Sequence, residues 1–142
     1  MIHVANLHKS FRGQQVLKGV NLELASGKIT TIVGTSGCGK TVLLKHLNAL
    51  YLPDSGAIFI DGVDITKLPQ DELYRIRSKF GVLFQGAALL DSMTVFDNVA
   101  FPLREKTKTS ETNIKTKVKE RLEQVGLGAM GGKLPAELSG GM

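Results

Sequence analysis

The sequence contains little cysteine and no long hydrophobic segment. Its single cysteine, Cys38, excludes a disulfide within the chain and is typical of a protein in a reducing compartment. The longest apolar runs are only a few residues long, well short of what a membrane-spanning helix needs. No basic N-terminal stretch leads into an apolar segment, as it would in a secretion signal. We therefore expect a cytosolic, globular chain, and its 142 residues are enough for one ordinary domain.

The net charge of +5 raises the question of a nucleic-acid partner. Much of the excess lies in residues 104–121, where lysines alternate with Thr, Ser and Glu. No aromatic residue is interleaved there to stack on bases. We interpret this stretch as a solvent-exposed helix face and predict no nucleic-acid partner.

What the sequence does contain is a complete phosphate-binding motif of the form G-x-x-x-x-G-K-[ST], which we call the phosphate-binding loop. Glycines allow phosphate oxygens to approach the main chain, and consecutive N–H groups with a following helix favour an anion. The motif predicts that the lysine contacts the β- and γ-phosphates of ATP and that the threonine hydroxyl ligates Mg²⁺. Its members are Gly34, Thr35, Ser36, Gly37, Cys38, Gly39, Lys40 and Thr41.

The segments around this loop have the expected character. Residues 28–33 are apolar and β-branched, which predicts a buried parallel strand, and leucines at helical spacing follow the loop. A second buried strand is predicted at 80–84. Antiparallel strands are predicted at 2–7, 16–17 and 20–24, and a short strand at 57–60. Helices are predicted at 39–50, 71–78 and 110–125. A further helix is predicted after a cap at Thr94 or Ser92, with Pro102 near its end.

A second motif, Leu138-Ser139-Gly140-Gly141, follows the strand-ending Gln85 farther along the chain. Together with the phosphate-binding loop, this arrangement resembles the ATP-binding-cassette (ABC) ATPases. The resemblance implies an α/β fold: a P-loop NTPase core with an N-terminal antiparallel β subdomain and a partial helical subdomain. It places the core at residues 1–86 and the helical subdomain at 87–142.

The resemblance also assigns roles to individual residues. Phe11 matches the aromatic position that stacks on adenine, although a partly buried aromatic at a strand end is the alternative. Val16 matches a position near the base. Gln85 matches the glutamine that contacts Mg²⁺ and the attacking water and couples the site to a membrane partner. In this family Ser139, with its neighbouring glycines, caps the γ-phosphate bound by a second subunit, which implies a dimer.

Residues 84–103, and a methionine at 142 where glutamine is commoner, resemble the ATPase of Mla/Mce-type phospholipid transport systems. This implies a membrane-embedded permease as partner, contacted through Gln85 and the helical region. It also implies a peripheral location on the cytoplasmic side of the inner membrane. A methionine side chain lacks the amide that would form hydrogen bonds at that position.

In the family, a strand ending in Asp-Glu and a switch histidine follow the signature motif. The sequence ends at Met142, before either, so we expect a truncated chain with an incomplete domain that binds ATP without efficient hydrolysis. A non-catalytic nucleotide-binding module is the main alternative. A DNA-repair or chromosome-organising ATPase is a weaker one, because residues between Gln85 and Leu138 show no sustained heptads.

Overall fold

The computed structural model describes residues 1–84 and 88–142, with the side chain of Lys106 left out. The chain divides into two units, Met1–Val82 and Leu83–Met142, which we call the N-terminal and C-terminal units. Among the described residues, no helix combines the length and the apolarity needed to cross a bilayer.

The N-terminal unit contains a four-stranded antiparallel sheet with the strand order β2-β1-β3-β4. Its strands are β1 (Ile2–Phe11), β2 (Gln14–Leu24), β3 (Ser55–Ile60) and β4 (Val63–Asp64). Its helices are α1 (Lys40–Leu47), a single 3₁₀ turn (Ile65–Lys67) and α2 (Gln70–Arg77). One face of the sheet and both helices share an apolar core of Val4, Leu7, Leu17, Leu43, Leu47, Ala49, Ile58, Ile60, Ile65, Leu73 and Ile76.

Strand β2 shows why the sequence suggested two short strands. Leu7 pairs with Val20 and His8 pairs with Lys18, so Gly19 is an extra residue that forms a bulge. The bulge shifts the alternation of buried and exposed side chains, and β2 continues as one strand through the break. Gly19 has a left-handed φ angle of +79°, which favours glycine, and a Cβ there would lie 2.9 Å from Asn6 Oδ1.

The two predicted buried strands are not strands among the described residues, and the prediction of burial was wrong. Ile29 is 99% exposed, Val33 is 84% exposed and Leu83 is 89% exposed. Ile32 and Phe80 nevertheless pack against the core of the N-terminal unit. A parallel strand is buried only where other strands flank it and helices cover both faces, and the described sheet includes neither segment.

The C-terminal unit is built on two helices, α3 (Val95–Lys106) and α4 (Glu111–Gln124), with 3₁₀ turns at Gly128–Met130 and Pro135–Glu137. Val95, Ala100, Ile114, Val118 and Leu122 form its core. The expected cap is confirmed at Thr94, whose hydroxyl accepts a hydrogen bond from Asp97 N at 3.1 Å. Pro102, expected near the end of α3, lies in its interior.

Two sets of hydrogen bonds connect the segments of the C-terminal unit. The N–H groups of Val95 and Phe96, in the first turn of α3, donate to Lys133 O and Gly131 O, each at 2.8 Å. Arg104 donates to Asp97 Oδ1 at 3.0 Å and to both carboxylate oxygens of Glu111 on α4. The Arg104 guanidinium is the main cause of a lowered pKa at Glu111. The segment after Gly131, which leads to Ser139, is therefore anchored to the start of α3.

Candidate functional site

The phosphate-binding loop depends on two glycines with left-handed backbone angles, Gly37 at φ +80° and Gly39 at φ +101°. Other residues adopt these angles only with strain. Gly39 is also crowded, because a Cβ there would lie 3.1 Å from Val16 Cγ1 and 3.2 Å from Leu17 Cδ2. Strand β2 therefore packs directly against the point where the loop becomes α1.

Helix α1 begins where this loop ends, and no described side chain caps its first turn. Gly39 occupies the capping position, and the first turn contains no acidic residue. The N–H groups at this end and the positive end of the helix dipole are therefore directed into the loop, as an anion site requires. Thr41 is exposed in the same turn.

The Lys40 ammonium lies inside the loop. Its Nζ donates to Gly34 O and to Thr35 O, both at 2.8 Å, and lies 3.8 Å from Cys38 Sγ. A Cβ at Gly34 would lie 2.7 Å from Cys38 Sγ, so the Cys38 side chain fills the space that glycine leaves open. The Lys40 ammonium is thus bonded to carbonyl oxygens of the loop itself, while the side chains of Thr35 and Ser36 are exposed.

Val16 lies next to the loop, and its expected place near the base stays a prediction. A groove of about 470 Å³ runs between β2 and the loop, lined by Gln14, Gln15, Val16, Lys18, Gly19, Val20, Gly37 and Cys38. The groove therefore lies between the strand that carries Val16 and the loop residues Gly37 and Cys38. Its lining is apolar at Val16 and positively charged at Lys18.

Phe11 lies at the end of β1 and is 37% exposed. Its ring packs against Tyr51 with centroids 5.6 Å apart at an angle of 58°, and Lys9 Nζ lies 5.7 Å from its centroid. The ring is therefore partly packed and partly free. Sequence reasoning missed Tyr51, because this contact joins segments that are far apart in the chain and leaves no periodic signal.

The remaining predicted site residues lie in the C-terminal unit or outside the residues that the structure describes. Gln85 lies outside the described residues. In the C-terminal unit, Leu138 is half-buried against the core, whereas Ser139, Gly140 and Gly141 are exposed in a turn closed by Met142 N donating to Ser139 O at 2.9 Å. A groove of about 500 Å³ adjoins this turn and is lined by Leu83, Leu89, Asp91, Pro135, Ala136, Leu138, Ser139, Gly140, Gly141 and Met142.

Residues 17–142 match the model of the family described as ABC transporter. The chain is 48% identical over 141 residues to the probable ribonucleotide transport ATP-binding protein mkl of Mycobacterium leprae, covering 99% of this chain and 41% of that protein. It is 44% identical over 142 residues to the intermembrane phospholipid transport system ATP-binding protein MlaF of Haemophilus influenzae, covering 100% and 54%. It is 46% identical over 144 residues to the methionine import ATP-binding protein MetN of Carboxydothermus hydrogenoformans, covering 99% and 42%.

The fold has a solved counterpart, described as the dimeric structure of a post-hydrolysis state of the ATP-binding cassette MJ0796 bound to ADP and Pi. The TM-score is 0.87 at 32% identity, over 99% of this chain and 64% of that one. The predicted fold class, an α/β cassette with an antiparallel β subdomain, is confirmed. The chain spans about half or less of the length of the curated relatives named above. It belongs to the ABC transporter family.

Proposed function

We propose that this chain carries the ATP-binding part of a subunit that energises an ABC transporter. The phosphate-binding loop carries the proposal. It has two glycines with left-handed backbone angles, a helix start that no described side chain caps, and an ammonium bonded to the carbonyls of Gly34 and Thr35. These groups together match a polyphosphate, since aligned N–H donors and a lysine stabilise its negative charge. The relatives named above support it, because each is described as an ATP-binding protein of a transport system.

The loop residues fit MgATP. Gly37 and Gly39 keep side chains away from the phosphates, and Lys40 can exchange its bonds to Gly34 O and Thr35 O for phosphate oxygens. The exposed Thr41 hydroxyl would hold Mg²⁺, which characteristically takes one or two protein ligands together with phosphates. In this proposal Gln85 helps to position the metal ion and the attacking water.

The base and the second phosphate contact come from other elements. We assign Phe11 to stacking on adenine and Val16 to packing near it, because the Phe11 ring is partly accessible and Val16 adjoins the loop. We assign Ser139, Gly140 and Gly141, which are exposed, to the γ-phosphate bound by a second copy. The dimeric state in the description of the MJ0796 structure supports this arrangement.

The transported substrate is proposed to be a phospholipid. The support is the relative MlaF, whose description names intermembrane phospholipid transport. The descriptions of mkl and MetN name ribonucleotide transport and methionine import, so these substrates are the competing possibilities. The proposal includes a membrane-embedded permease, contacted through Gln85 and the helical region 87–142, and a peripheral position on the cytoplasmic face of the inner membrane.

Binding and turnover are tested separately on the full-length protein. MgATP binding is measured by calorimetric titration and phosphate release by a colorimetric assay, for wild type, Lys40→Ala and the control Lys79→Ala. Lys79 is exposed, follows α2 in the chain, and its Nζ lies 3.8 Å from Asp61 Oδ2. We expect Lys40→Ala to lose ATP affinity and any phosphate release, and Lys79→Ala to retain both. Binding without release would support a nucleotide-binding module, and absence of ATP binding in wild type would refute the proposal.

The substrate is tested by purifying the subunit with its membrane partner. Lipids that copurify are identified by mass spectrometry, and ATP-dependent transfer of a labelled phospholipid between vesicles is compared with uptake of methionine or ribonucleotide. The phospholipid proposal predicts transfer that stops in Lys40→Ala. It is contradicted if the partner moves methionine or ribonucleotide and no lipid.

A further inference from the structure

Tyr51 lies between the end of α1 and the end of β1. Its N–H donates to Lys45 O at 2.9 Å, which continues the backbone of α1 into the turn that follows. Its ring lies edge-on to His46 with centroids 5.8 Å apart and tilted against Phe11 with centroids 5.6 Å apart. Lys45 Nζ also lies 5.1 Å from the Tyr51 centroid. Tyr51 is therefore held by the last turn of α1 while it contacts Phe11.

An ion pair and two further hydrogen bonds connect the end of β1 to the segment after Tyr51. Lys9 Nζ, two residues before Phe11, donates to Asp54 Oδ1 at 2.8 Å and to Leu52 O at 2.9 Å. The Ser10 N–H donates to Asp54 Oδ2 at 2.6 Å. These bonds hold the end of β1 against the segment that follows Tyr51, so the backbone on both sides of the Phe11–Tyr51 contact is fixed.

Helix α1 connects this junction to the phosphate-binding loop. The loop leads into its first residue, Lys40, and Tyr51 is bonded to its last turn. A helix of this length spans about 12 Å and is stiff, so it sets the distance between the phosphate-binding N–H groups and the Tyr51 ring. A side chain that is already ordered before binding also loses less conformational entropy when a ligand stacks on it.

We infer that Tyr51 is a positioning residue that holds the Phe11 ring in the orientation needed to stack on the base of the bound nucleotide. The inference rests on the proposed function, in which Phe11 contacts adenine. Tyr51 acts through Phe11 and does not itself contact the phosphates. Its removal should weaken binding of a nucleotide but not binding of a polyphosphate that has no base.

The test compares two probes, MgATP and magnesium tripolyphosphate, by calorimetric titration of the full-length protein. The variants are Phe11→Ala, Tyr51→Ala, Tyr51→Phe and the control Tyr74→Ala, which removes the other tyrosine, an exposed side chain on α2. Loss of Phe11 should weaken ATP binding by roughly 5- to 150-fold, the range for a base stacked on an aromatic side chain. Loss of Tyr51 should weaken it by roughly 2- to 12-fold, the range for one aromatic pair.

The expected pattern is selective. Tripolyphosphate affinity should be unchanged in every variant, and Tyr51→Phe and Tyr74→Ala should bind ATP as wild type does. Equal losses for ATP and tripolyphosphate in Tyr51→Ala would overturn the inference, because Tyr51 would then support α1 and the loop rather than Phe11. Unchanged ATP affinity in Tyr51→Ala would also overturn it.

Failure of the proposed function gives a different result. If wild type binds neither probe, the assignment of the loop to nucleotide is refuted. If wild type binds ATP and Phe11→Ala does so equally well, the ATP-binding function stands, while Phe11 and with it Tyr51 have no part in base recognition.

Discussion

Replacing Gly37 and Gly39 separately by alanine distinguishes two reasons for glycine in the phosphate-binding loop. Both positions have left-handed φ angles, so either alanine costs about 1–2 kcal/mol in backbone strain. A Cβ at Gly37 would have no described atom within 4 Å, and its cost should end there. A Cβ at Gly39 would press on Val16 and Leu17, and overpacking of this kind adds about 1–3 kcal/mol.

The predicted magnitudes follow if phosphate binding selects the loop conformation described above. Gly37→Ala should weaken MgATP binding by about 1–2 kcal/mol, or roughly 5- to 30-fold. Gly39→Ala should weaken it by about 2–5 kcal/mol, at least roughly 30-fold, since the two costs add. Calorimetric titration of the full-length protein measures both values, and thermal unfolding shows whether each variant remains folded.

Val16→Ala provides the decisive control, because it removes one of the two groups that crowd Gly39. In that background Gly39→Ala should cost less by about 0.5–3 kcal/mol, the usual coupling between residues in contact. The cost of Gly37→Ala should not change. The reasoning is refuted if the two glycine substitutions cost the same, or if Val16→Ala couples equally to both.

Two further predictions concern single side chains of the N-terminal unit. His46 is fully buried, with Nδ1 2.7 Å from Val42 O, and desolvation lowers its pKa below 6.5. As the pH falls, the unfolded chain therefore takes up the proton before the folded chain does. The free energy of unfolding should fall as the pH falls through about 6.5. Urea unfolding at about pH 7.5 and about pH 5.5 measures this loss of stability. The loss should be smaller in His46→Gln than in wild type and unchanged in His3→Gln. An equal pH dependence of stability in the two variants would contradict the prediction. Alkylation of the exposed Cys38 should block ATP binding, because its Sγ lies 3.8 Å from Lys40 Nζ, and ATP should slow the labelling. Equal labelling rates with and without ATP, followed by mass spectrometry, would show that nucleotide does not cover this side chain.

The sequence predicted local features most accurately. Helix α4 was predicted at 110–125 and runs over Glu111–Gln124, since its apolar residues recur at helical spacing. A cap at Thr94 or Ser92 was also predicted, because a hydroxyl before an apolar run is a local signal, and Thr94 forms it. The end of α3 was not, because Pro102 is accommodated within a helix whose apolar side packs on α4.

Predictions that depended on neighbours were less successful. Residues 28–33 and 80–84 have the composition of buried strands, but burial of a strand depends on what lies beside and above it. The described sheet instead joins β1 to β2 and β3, and leaves Ile29, Val33 and Leu83 exposed. Composition carries a preference for extended backbone and no information on which partner is present.

The sequence by itself determined the phosphate-binding loop and the family resemblance, because both depend on residue types within short motifs. Only the tertiary structure determined what surrounds that loop, namely Val16 and Leu17 packed against Gly39. It also determined the packing of Tyr51 against Phe11. The physical reason is that packing brings together side chains from distant segments, and such contacts leave no short-range pattern in the sequence.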